Sequence, residues 1–225
     1  YATSSGEFSA AVMLSEGQHY ITMRVLDESN ASDEDSVIIE VLTPTPPSIS
    51  SVSFSPSNPT TIDDIQALPQ GWTDFNNAAE QYRYAWYIVD ESNTPQLDVT
   101  ETTAVYPNSK TQKGDRFQVE VTPYSTIGDG TPIMSTVVEV INTPPTAPLV
   151  SISPDPAQPE DTLLCTASDS SDIDNDSLNY EYSWHISGNN LGISSNTLDP
   201  SMFVHGDVVD CIVQVFDGED YSTST

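Results

Sequence analysis

Apolar and polar residues alternate in short runs along this chain rather than recurring at three-and-four spacing. Tyr20-Ile21-Thr22-Met23-Arg24-Val25, Phe117-Gln118-Val119-Glu120-Val121 and Cys211-Ile212-Val213-Gln214-Val215 all follow this alternation. Period two with β-branched residues puts the apolar side chains on one face of an extended strand. Clusters of Ser, Asn, Asp, Gly and Pro separate the runs. These residues favour turns because they fix φ, tolerate positive φ, or bond their own backbone. The 17 prolines interrupt what helical periodicity remains. The predicted class is all-β, built of sandwiches.

The pattern repeats. Val52-Ser53-Phe54-Ser55-Pro56 returns 98 residues later as Val150-Ser151-Ile152-Ser153-Pro154. Asp63-Asp64-Ile65-Gln66-Ala67 returns at the same offset as Asp161-Thr162-Leu163-Leu164-Cys165, and Tyr82-Arg83-Tyr84-Ala85-Trp86-Tyr87-Ile88 as Tyr180-Glu181-Tyr182-Ser183-Trp184-His185-Ile186. Gly114-Asp115 then matches Gly206-Asp207 at an offset of 92, so one loop is shorter in the later copy. Three separate matches at one offset mark a tandem repeat.

The N-terminal stretch fits only the second half of the repeat. Ser36-Val37-Ile38-Ile39-Glu40-Val41 resembles Ser135-Thr136-Val137-Val138-Glu139-Val140, and a Thr-Pro-Pro hinge follows both. Residues 1–43 therefore read as the closing strands of one domain, its opening strands expected before Tyr1. Residues 44–46 are a Pro-rich linker, 47–142 a complete domain, and 143–145 a second Pro-rich linker. Residues 146–225 are a third domain that stops near its last strand. Tyr1 is not a natural start, so the sequence reads as an excised or processed piece. Successive prolines favour extended polyproline geometry, which makes the joints semi-rigid and the array linear.

Composition sharpens this picture. Five basic residues stand against 34 acidic ones, a formal charge of −29. Such a surface repels phosphate and disfavours nucleic acid and anionic lipid. Apolar residues make up 36%, below the usual ~45–50%, so each core must be small. No run of about 18 apolar residues appears, so no membrane insertion is expected within this window. The excess acid fits either solubility in high salt, where screening shortens to a few Å, or divalent-cation binding on a surface coat.

The third unit orders its key residues as Cys165, Trp184 and Cys211, on an early, a middle and a late strand. That order resembles the immunoglobulin pattern. The second unit keeps Trp86 but has Ala67 and Val119 in place of the cysteines. Leu14 to Asp27 looks like the end of a PKD-type domain. Cys165-Thr166-Ala167-Ser168-Asp169, the Asp172-Ile173-Asp174-Asn175-Asp176 loop and Tyr182-Ser183-Trp184 look like a related repeat. The resemblance to tandem PKD-like, immunoglobulin-like repeats of bacterial and archaeal secreted and surface proteins spans essentially the whole chain. It implies a fold of Ig-like/PKD-like β-sandwiches in a linear array, with Trp86 and Trp184 as core anchors. It also implies a disulfide between Cys165 and Cys211, hence an oxidising compartment; the other reading of the two thiols is a buried free pair.

The sharpest chemical motif is Asp172-Ile173-Asp174-Asn175-Asp176. Carboxylates at alternate positions can converge on a hard cation, and calcium takes 6–8 oxygens. Asp169 and Asp217 complete the candidate metal set, with calcium the expected cofactor; the other reading is a solvated acidic loop. The aligned loop Asp74-Phe75-Asn76-Asn77-Ala78 keeps two possible ligands and loses the third, so weaker or no binding is expected there. Asp27, Glu28, Asp33, Glu34 and Asp35 form a second acidic cluster without tight alternation. Asn30 and Asn175 begin glycosylation sequons.

Catalytic signals are weak. His19, His185 and His205 stand alone, and no Gly-x-Ser-x-Gly, His-Glu-x-x-His or phosphate-loop motif occurs. The expectation is a non-enzymatic extracellular or cell-surface region: a stalk, adhesive coat, S-layer or filament component. Its partners would be neighbouring domains, copies of the same protein, or a surface protein or glycan. The alternative is a polysaccharide-binding or spacer region of a secreted hydrolase.

Overall fold

A computed structural model describes residues 10–225 as an all-β chain in three consecutive parts. The first is a lone antiparallel hairpin of β1 (Gly17–Leu26) and β2 (Ser32–Val41). Its tight turn is held by Asp27, whose carboxylate accepts the backbone N–H groups of Ser29 at 2.8 Å and Ala31 at 2.9 Å. Asn30 takes the positive φ of 63° that this reversal requires. The register sorts side chains by face. Ile21 opposes Val37 and His19 opposes Ile39 on one side, whereas Thr22–Ser36 and the Arg24–Glu34 ion pair lie on the other. The apolar side stays open, with Val37 53% and Val25 58% exposed.

The second unit is a two-sheet sandwich. One sheet runs β3 (Ser51–Ser55), β4 (Ile65–Gln70) and, beyond it, β7 (Val105–Tyr106). The other has the order β10-β8-β5-β6. Its members are β5 (Tyr82–Val89), β6 (Pro95–Asp98), β8 (Arg116–Pro123) and β10 (Val138–Glu139), with β9 (Ile133–Met134) also on β8. Alternation governs burial: along β8, Phe117, Val119, Val121 and Pro123 are buried and the residues between them are not.

The third unit repeats the plan. The first sheet is β11 (Leu149–Ser153), β12 (Leu163–Ser168) and β15 (Thr197–Leu198). The second is β14 (Asn189–Asn190), β13 (Asn179–Ile186) and β16 (Val209–Phe216). Register matches between units: Trp86 pairs with Val119, and Trp184 pairs with Cys211.

Both tryptophans are fully buried. Each indole N–H finds a carbonyl at 2.9 Å, Thr103 for Trp86 and Ser195 for Trp184. A buried indole needs such a partner, because an unpaired N–H inside a core is costly. Cys165 and Cys211 are joined in a disulfide linking the two sheets beside Trp184. In the second unit Ala67 and Val119 fill those places, both buried. No helix among the described residues is long and apolar enough to cross a membrane.

Candidate functional site

The acidic loop of the third unit lies between β12 and β13. Asp172 organises it: one carboxylate oxygen accepts the backbone N–H groups of Asp174 at 2.8 Å and Asp176 at 3.2 Å. These bonds curl the loop into a turn, which brings Asp176 back beside Asp172. The other Asp172 oxygen, Oδ2, is buried and has no hydrogen-bond partner.

Asp217 approaches from the turn after β16. Its Oδ1 accepts the N–H groups of Glu219 and Asp220, both at 2.7 Å, and its Oδ2 accepts Asn142 Nδ2 at 2.8 Å. Burial pushes the Asp217 carboxyl up. The Asn142 bond, the two backbone bonds and nearby Lys113 outweigh it and hold the group below the usual carboxylate range. Asp172, Asp176 and Asp217 each turn one oxygen to a common point, all within 4.8 Å of one another.

The remaining two residues of the expected set lie elsewhere. Asp169 is exposed, carries a positive φ of 61°, and accepts the Ser168 hydroxyl at 3.1 Å. Asp174 points across the joint, its Oδ2 accepting the Thr143 N–H at 2.8 Å and its Oδ1 accepting the Thr61 hydroxyl. It ties the loop to the second unit rather than joining the carboxylate cluster.

The second unit supplies a cation to this joint. Lys113 Nζ donates to Asp176 Oδ2 at 2.8 Å, Asn142 Oδ1 at 2.8 Å and Glu219 Oε1 at 2.6 Å. The bonds to Asp176 and Glu219 push the ammonium well above the ordinary lysine range. Asn142 works in both directions, accepting from Lys113 and donating to Asp217 and Asp220. Lys113, Asn142 and Thr61 carried no motif. The available signal was scarcity: Lys113 is one of only five basic residues, so each is poised to meet acid.

The matching loop of the second unit is built the same way. Asp74 Oδ2 accepts the N–H groups of Asn76 and Ala78 at 2.9 Å each, and its Oδ1 is likewise buried without a partner. In the repeat register Ala78 replaces Asp176 and Ser125 replaces Asp217. The orphaned oxygen is thus common to both loops; the two added carboxylates distinguish the third unit.

Trp86 and Trp184 lie inside their cores, so neither offers a stacking face to a sugar ring. Asn30 is exposed at the hairpin turn, and Asn175 is exposed beside Asp174 on a cleft of about 450 Å³ at the joint. His185 sits on β13, where its ring lies 3.3 Å from the Ser183 hydroxyl.

These sheets and their repetition define a class: tandem immunoglobulin-like β-sandwich repeats. No protein-family model matches the sequence, and no curated protein matches it. Solved structures do align. The FN1–FN3 domains of chicken CNTN1 cover 90% of this chain and 73% of their own length, at 11% identity and a TM-score of 0.36. A two-domain fibronectin type-III segment of chicken tenascin covers 80% of this chain and 97% of its own, at 12% identity and 0.38. The N-terminal four Ig domains of Dscam1 isoform 4.44 cover 90% and 52%, at 14% identity and 0.30. The fold is fixed by the sheets described above; these likenesses add nothing about a partner or a role.

Proposed function

We infer that this chain is a non-catalytic extracellular repeat region of the PKD-like kind, serving as a structural or adhesive stalk or coat, and that calcium stiffens its third unit. The disulfide supports an oxidising compartment, since thiols are kept reduced in the cytosol of most cells. The observation that carries the reading is the joint, where Lys113 bonds Asp176 and Glu219, Asn142 bonds Asp217 and Asp220, and Asp174 accepts from Thr143 and Thr61. Bonds of that kind tie the second unit to the third, which suits a structural repeat.

The residues present fit a hard divalent cation. Asp172, Asp176 and Asp217 would hold it, and the unpartnered Asp172 Oδ2 is the oxygen with most to gain. Bound calcium would supply charge neutralisation and cross-link the loop to the turn after β16. Calcium bound only by the folded unit would stabilise it by about 2.7 kcal/mol at a hundredfold excess over Kd.

Calorimetry of the 225-residue chain with calcium and with EDTA tests this. Calcium should raise the transition of the third unit, and Asp172→Asn and Asp217→Asn should each remove the rise. An unchanged transition in EDTA would remove calcium from the proposal while leaving the stalk reading intact.

A further inference from the structure

A cation already stands at the joint, tethered to the second unit. Three oxygens surround Lys113 Nζ: Glu219 Oε1 at 2.6 Å, and Asp176 Oδ2 and Asn142 Oδ1 at 2.8 Å each. An ammonium offers donors only, so it sits among carboxylate and amide oxygens much as a metal ion would. Two of its three partners, Asp176 and Glu219, belong to the third unit. The chain has one other lysine, Lys110, which bonds Thr100 and Glu101 within the second unit.

The three carboxylates that converge beside it are not equally free. Oδ1 of Asp172 and Oδ1 of Asp217 each accept two backbone N–H groups. The other oxygen of Asp172 is buried without a partner, whereas the other oxygen of Asp217 is held by Asn142 Nδ2. Asp176 is held by Lys113. Calcium takes oxygen ligands only, and an N–H aimed at the same oxygen competes with it. A calcium shell that uses Asp176 and Asp217 therefore draws on carboxylates that donors of the second unit now hold. An ammonium and a divalent ion that share Asp176 also repel one another.

We propose that Lys113 is a tethered competitor for the calcium site, and that calcium binding releases the Lys113 tie between the second and third units. The inference rests on the calcium reading above and adds its regulation. Calcium then has opposite effects on the two levels of structure. It cross-links the loop and the turn inside the third unit, and it slackens the joint. The bonds from Asp174 to Thr61 and Thr143 remain, since Asp174 lies outside the converging set. Linkage makes the effect mutual: a tie that calcium must break raises the calcium needed, and calcium weakens the tie by the same factor.

The test is pulse acylation of the whole 225-residue chain with an N-hydroxysuccinimide ester of acetate, in EDTA and in calcium. Fragment masses separate Lys113 from Lys110, and calorimetry is run on the same samples. The two side chains start from similar exposure, 27% and 36%, so Lys110 is an internal control. Calcium should speed acylation of Lys113 by about tenfold, the factor for one lost charge-assisted bond, and leave Lys110 unchanged. Asp172→Asn can still accept the N–H groups of Asp174 and Asp176 but carries no charge, and should abolish the response of Lys113. A calcium-raised transition with Lys113 acylation unchanged or slowed would overturn the competitor and leave the calcium reading in place. If neither the transition nor Lys113 responds, both are lost. Faster acylation of Lys110 and Lys113 together would mean general loosening, and would also overturn the proposal.

Discussion

The second and third units are two solutions to one packing problem. Both bury a tryptophan in the same register, but they fill the space around it differently. The second uses rings: Tyr106 lies 5.3 Å from Trp86 and 4.5 Å from Phe117, with Phe54 at 6.0 Å. In the third, Leu198, Val209 and Ile152 hold the corresponding places, and the Cys165–Cys211 bridge spans the sheets. Large rings bury much apolar area at low entropic cost. Smaller side chains bury less, and the cross-link compensates by restricting the unfolded chain. The disulfide is thus a substitute for aromatic packing on a shared template.

The largest expected effect is common to both units. Trp86→Ala or Trp184→Ala should cost about 3–5 kcal/mol. Each should lower or abolish the calorimetric transition of its own unit and spare the other. A joint loss from either variant would mean that the two cores are one.

Removing the staple separates the units. Cys165→Ala with Cys211→Val gives the third unit the residues of the second without its rings. The loss should approach about 4 kcal/mol from chain entropy for the 46-residue separation. Reductant should likewise lower the third transition and leave the second in place. Equal sensitivity of both units would refute the substitution.

The joint gives two finer tests. Lys113→Met removes a tethered ammonium that holds Asp176 and Glu219, so half-maximal stabilisation by calcium should move to lower calcium concentration. Asp74→Asn in the second unit should leave that titration unchanged, because Ala78 and Ser125 provide no further carboxylate.

The smallest effect is with pH. Asp217 is held below its unfolded value, so its contribution is full above about pH 4 and disappears as pH falls through the lower folded value. Asp217→Asn should flatten the acid loss of stability in the third unit without altering the second. Denaturant melts between pH 2 and pH 6 measure this directly.

Much of this was legible along the chain. The alternation at Phe117–Val121 and Cys211–Val215 is the burial pattern of β8 and β16, because a strand exposes its faces in strict period two. The repeated Tyr-x-Tyr-x-Trp placed both tryptophans in matching strands. The acidic loop was visible as spacing, but its division of labour was not. Asp172 and Asp176 converge with Asp217, whereas Asp174 reaches Thr61 and Thr143. Spacing within a loop fixes which residues are neighbours, not which way each carboxylate turns once another domain offers donors.

Sequence by itself determined the strands, the repeat, the core tryptophans and the surplus of acid, since these depend on local periodicity and composition. Tertiary structure alone decided that Lys113 meets Asp176 and Glu219, 63 positions from the nearer partner, and that Asp174 turns to Thr61 and Thr143. Those features depend on how the ends of folded sandwiches meet, and the energies there come from contacts between residues that no short-range pattern relates.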